Sequence, residues 1–157
     1  MKYRWVLLSV ILLLILSACA KGTTESTIKI EDAWVRAASV MSTQNQGQMG
    51  DMSGSMSAAY MRISNSGDNP DRLLKVSSDA AQTVEMHMSE MKEGVMTMHP
   101  IESIEVPARG QVELKPGGLH IMFIGITRDL MPGEKVKLSL GFEKAGEIQI
   151  EAEVRAP

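Results

Sequence analysis

Two imidazoles and two thioethers stand along this chain in the order His87, Met98, His120 and Met122, spaced as His-X10-Met-X21-His-X-Met. Both ligand types are neutral, and the thioether is soft. Such a set suits Cu(I) and suits Zn(II), Mg(II) or Ca(II) poorly. A zinc site would want Cys or carboxylate among its donors. A blue-copper electron-transfer centre would want a Cys thiolate beside its two His. The chain has a single Cys, Cys19, near its start. No nucleophile–base pair for hydrolysis stands out, and Lys115-Pro116-Gly117-Gly118 reads as a turn, not a phosphate loop. The chemistry expected is metal binding without catalysis.

The methionines support that expectation. The chain has 13, and they are not spread as core filler would be. Met86, Met88, Met91, Met96 and Met98 crowd one stretch, and Met41, Met49, Met52, Met56 and Met61 lie in or beside a polar one. Methionine is ordinarily a gap-filler in cores. Met49, Met52 and Met56 have no apolar neighbours to pack against, so they are candidates for an auxiliary soft-metal site.

The elements that must position these residues read as strands. Apolar-polar alternation recurs over 28–30 with 33–36, 58–64, 73–76, 83–89, 95–101, 104–106, 112–114, 119–126, 136–142 and 148–154, with Gly, Pro and Asn turns between. Many short strands at this spacing predict an all-β antiparallel sandwich or barrel. Residues 41–57 break the rhythm. They are rich in Gly, Ser and Gln and read as a flexible Met-rich loop between the first two strands.

Period-two geometry puts His120 and Met122 on one face of their strand. His87 and Met98 sit on opposite arms of a hairpin. A two-residue loop at Lys92-Glu93 sets His87 opposite Met98, and such pairs share a face with Cβ atoms about 5 Å apart. A three-residue loop over Lys92-Glu93-Gly94 instead sets Met88 opposite Met98 and His87 opposite His99. The sequence leaves both registers open.

The start of the chain is a targeting segment. Lys2 and Arg4 precede an apolar run over 6–16, followed by Leu16-Ser17-Ala18-Cys19. A charged start, a short apolar core and small residues before a cleavage point describe a secretory signal over 1–18. The run is shorter than the roughly 20 apolar residues of a comfortable span. Leu-Ser-Ala-Cys looks like a bacterial lipobox, which makes Cys19 the lipidated first mature residue, 19–27 a polar tether and 28–157 one domain. The expected place is extracytoplasmic, lipid-anchored to a bacterial membrane. The net charge is −3 at pH 7, and no basic stripe suggests nucleic acid.

Several blocks resemble the periplasmic copper chaperones of the PCu(A)C family. They are Ala33-Trp34-Val35-Arg36-Ala37, Ala58-Ala59-Tyr60-Met61, Val84-Glu85-Met86-His87, Gly94-Val95-Met96-Thr97-Met98, Ile104-Glu105-Val106-Pro107 and Lys115-Pro116-Gly117-Gly118-Leu119-His120-Ile121-Met122. The four-ligand spacing is that family's signature. The resemblance covers about Ile30 to Phe142. It implies a cupredoxin-like antiparallel Greek-key β-sandwich with Cu(I) on His87, Met98, His120 and Met122 near one end. It also implies delivery of copper toward the CuA centre of cytochrome oxidase, alongside Sco-type proteins. The Met-rich loop departs from the family's shorter segment and suits a second reading, sequestration of Cu(I) or Ag(I) for metal resistance.

The ligand types fit a carrier. Thioethers do not ionise and resist the disulfide chemistry of an oxidising compartment. Only the imidazoles compete with protons, so capture weakens in acid.

Overall fold

A computed structural model describes residues 27–40 and 56–156. The named elements are all strands: β1 Ile28–Arg36, β2 Met56–Asn65, β3 Asp71–Ser77, β4 Ala81–Lys92, β5 Val95–Pro100, β6 Ile104–Val106, β7 Gly110–Leu114, β8 Leu119–Ile126, β9 Lys135–Phe142 and β10 Gly146–Arg155. Each strand expected from alternation is present, with ends moved by a few residues. The two runs at 28–30 and 33–36 are one strand, β1, with a register shift between Glu31 and Trp34 where Asp32 has φ 53°.

The strands connect in the order β5-β4-β8-β2-β1-β10-β9-β3-β6, with β7 on β2. Every pairing is antiparallel except β1 with β10. β2 is shared: Met56–Ala59 pair with β8, and Met61–Asn65 pair with β7. Along one edge β2 thus serves β8 and then β7, while β1 pairs along the other. The architecture is the all-β, cupredoxin-like one expected.

Alternation sets the faces. On β8, Ile121 and Phe123 are fully buried in the core, together with Val35, Ile63, Leu73, Leu140 and Val106. His120 and Met122 therefore leave β8 on the other face. Away from that face, Asp71 is buried and accepts the backbone N–H groups of Arg72 (2.8 Å), Lys144 (2.9 Å) and Ala145 (2.9 Å), which ties the β9–β10 turn to β3.

The hairpin register differs from both expected alternatives. The loop is Glu93-Gly94, so His87 lies opposite Pro100, Met88 opposite His99, and Ser89 opposite Met98. Glu93 (φ 51°) and Gly94 (φ 80°) both take positive φ, as a two-residue type I′ turn requires at its two central positions. Glycine's tolerance of that region puts it second in the loop and shifts the pairing. The parity survives: Met98 and His87 still share a face, as diagonal and not direct partners. β2 begins at Met56, so the last two residues of the loop expected at 41–57 are strand. Ser57 is buried and donates Oγ–H to the Arg36 carbonyl at 2.6 Å.

Candidate metal centre

The centre forms where β4 and β8 pair. His87 lies directly opposite His120, and Glu85 directly opposite Met122. The two imidazole centroids are 5.8 Å apart at 48°. Neither histidine was expected to be so buried on a non-core face, yet His87 is 8% and His120 5% exposed. Aromatic side chains account for the shelter of His120. Tyr60 on β2 lies 6.5 Å from the His120 ring, and Trp34 on β1 lies 4.6 Å from Tyr60. Arg36 on β1 donates to the Tyr60 hydroxyl at 3.1 Å and holds that ring in place.

A turn fixes one imidazole. Pro116 and Gly117 (φ 78°) form the corner between β7 and β8, and a positive φ after Pro is what such a corner needs of glycine. The corner presents the Gly118 carbonyl, which accepts from Ser89 N (3.1 Å) and faces His120 Nδ1 at 2.9 Å. A carbonyl only accepts, so His120 carries its proton on Nδ1 and leaves the Nε2 lone pair for a metal.

The other imidazole is fixed by a carboxylate. His87 Nε2 lies 2.9 Å from Glu85 Oε2. Among the described residues, His87 Nδ1 is a buried side-chain polar atom with no hydrogen-bond partner. With Nε2–H donated to Glu85, Nδ1 holds a free lone pair. A buried acceptor without a donor is costly, and a cation is the partner that would satisfy it. The carboxylate–histidine pair behind it is the arrangement that orients metal-binding imidazoles.

A cavity of about 290 Å³ opens on this face, lined by Met98, His120, Met122, Met56, Tyr60 and Arg36, among others. Three of the four expected ligands thus border one space, and the fourth, His87, lies against His120. Met98 is half exposed, Met122 half-buried. A larger depression of about 510 Å³, bordered by Ser77, Asp79, Lys137 and Glu151, has no His or Met in its lining. Among the described residues no three His, Cys, Asp or Glu side chains gather as a metal site.

Met56, expected in the loop, lies at the start of β2 and lines the cavity, 47% exposed. Met49, Met52 and Cys19 lie outside the described residues. His99 faces away from His87, paired with Met88. The sequence alone does not mark Glu85, Tyr60 or Gly118 as part of the site. Glu85 was within reach, because residues two apart on a strand share a face.

The sequence matches the model of the family described as "Putative lipoprotein LpqE-like" over residues 28–154. It is 29% identical over 127 residues to "Putative lipoprotein Lxx21020" of Leifsonia xyli, covering 80% of this chain and 68% of that protein. Among solved structures, the copper-bound PCuAC domain from PmoF2 is 31% identical with a TM-score of 0.62, over 83% of this chain and 94% of that domain. The solution structure of CuI-DR1885 from Deinococcus radiodurans is 25% identical with a TM-score of 0.54, over 87% of this chain and 85% of that one. This chain belongs to the LpqE-like lipoprotein family, and its β-domain is of the PCuAC copper-chaperone type.

Proposed function

We propose that this protein is a lipid-anchored, extracytoplasmic Cu(I) carrier that holds one ion on His87, Met98, His120 and Met122 and hands it to the CuA centre of cytochrome oxidase, with a Sco-type protein as co-worker. The observation that carries the reading is the cross-strand pair of buried histidines beside a cavity lined by Met98 and Met122. The copper bound by the PmoF2 domain and the Cu(I) form of DR1885 support it, and the lipoprotein relative supports the anchor at Cys19.

The geometry suggests how the ion is kept and released. Two imidazoles with one nitrogen each already committed to Gly118 and Glu85 are pre-oriented, so little ordering is left for binding. All four ligands are neutral, so no thiol proton must leave, and the single positive charge of Cu(I) is faced by the Glu85 carboxylate behind His87. Met98 is the exposed ligand, 50% accessible, and an acceptor's donor can approach from its side and replace it first. The buried histidines then release last.

Sequestration of Cu(I) or Ag(I) is the second reading, and Met56 favours it. Its thioether borders the same cavity, and Met49 and Met52 precede it in the chain. Together they would supply a further soft site. The separating experiment mixes the Cu(I)-loaded protein with an apo CuA domain and follows the optical bands of the acceptor. A carrier binds few ions and gives one up; appearance of the CuA bands is the result expected. Retention of copper with no CuA bands would establish the buffer instead.

A further inference from the structure

Outside the four-residue centre, the β4–β5 hairpin exposes an unusual amount of thioether. Met91 is 63%, Met96 53% and Met98 50% exposed. β5 is the last strand on its side of the sheet, and natural edge strands tend to be charged or short to discourage association. Packing does not account for these methionines, because more than half of Met91 and Met96 stays in water.

Their register does something more specific. Met91 lies directly opposite Met96. Ile101 N–H donates to Met86 O at 2.9 Å, which makes 86–101 a hydrogen-bonded pair. Such pairs alternate along an antiparallel ladder, so 91–96 is a non-hydrogen-bonded pair, the kind with Cα atoms about 4.5 Å apart and side chains closest. Met98 follows Met96 by two residues. It is on the same face, about 7 Å further along the strand. Met91, Met96 and Met98 therefore form a sulfur stripe that starts near the hairpin turn and ends at the cavity of the main centre. Methionine's three flexible torsions let paired thioethers close on one ion.

We propose that Met91 and Met96 form a second, outer site for a soft monovalent ion, Cu(I) or Ag(I), from which the ion steps to Met98 and the histidine centre. The site has thioether donors and no imidazole. It is exposed and has to be ordered on binding, so it is the weaker and faster of the two. It goes beyond the carrier reading, which needs only the four inner ligands.

The test uses the mature chain with 13C-labelled methionine methyls, titrated with Ag(I) as a redox-stable probe. The first equivalent should shift the Met98 and Met122 methyls, and the second should shift those of Met91 and Met96. The Met91→Leu/Met96→Leu variant keeps apolar bulk and loses both sulfurs. It should bind one ion fewer than wild type, with affinity at the first equivalent changed less than twofold. Repeating the comparison with Met49, Met52 and Met56 replaced by Ser separates this ion from any held there. Unshifted Met91 and Met96 methyls at two equivalents, or equal capacity in the two proteins, would overturn the outer site and leave the stripe as a docking face. Failure of the inner centre would show differently, as a first equivalent indifferent to His87 and His120.

Discussion

Removing the Glu85 carboxylate tests which nitrogen of His87 meets the metal. Glu85 Oε2 sits 2.9 Å from His87 Nε2, while Nδ1 is buried without a partner. If the ion takes Nδ1, Glu85 stays in place, fixes the tautomer and orients the ring. Outer partners of this kind are worth about 10–100-fold in metal affinity. Glu85 is 42% exposed while His87 is 10% exposed as a side chain, so water competes at one end of the bond and the lower end applies. Glu85→Ala should therefore weaken Cu(I) binding about tenfold, close to 1.4 kcal/mol. Glu85→Gln keeps an acceptor and loses the charge, and should fall between wild type and Ala. Anaerobic competition against a chromophoric Cu(I) chelator measures both. Tighter binding by Glu85→Ala would rule out Nδ1 as the ligand atom. It would mean that the ion takes Nε2 and that Glu85 is a competitor the metal must displace.

Asp71→Ala removes the acceptor of three backbone N–H groups in a buried position and should cost about 3 kcal/mol, a fall in Tm of ~10 °C by calorimetry; Cu(I) affinity should be unchanged, since β3 does not pair with β4, β8 or β2. His99→Ala should leave Cu(I) affinity within about twofold in the same competition titration, because His99 pairs with Met88 and faces away from His87. Cys19→Ser should release the protein from the membrane fraction or block its processing, and a variant still firmly membrane-bound would point to an uncleaved apolar anchor. Replacing Met49, Met52 and Met56 together with Ser should remove a weaker Cu(I) equivalent without unfolding the domain, as read by circular dichroism alongside the titration.

The strands were legible because alternation is local. Glu147 to Val154 reads apolar and charged in turn, and β10 follows it. The shared face of His120 and Met122 was legible for the same reason. Which strands neighbour each other was not, because β4 meets β8 through tertiary pairing that no short window of sequence encodes. The direct apposition of His87 and His120 therefore had to come from the structure. The hairpin register missed by a small step with a clear physical origin: Gly94 takes the second positive-φ position, which excludes Lys92 from the loop. Burial of the histidines was also hidden. For His120 it depends on the Tyr60 ring on β2, backed by Trp34 on β1, and these rings look like ordinary strand aromatics in the sequence.

X-ray absorption on the protein loaded with one equivalent of Cu(I) reads the ligand set of the inner centre. The copper should be bound by both imidazole nitrogen and thioether sulfur, with the sulfur contribution reduced in Met98→Ala or Met122→Ala and the imidazole signature reduced in His87→Ala or His120→Ala. A shell of nitrogen and oxygen alone, or a spectrum unchanged by all four substitutions, would contradict it.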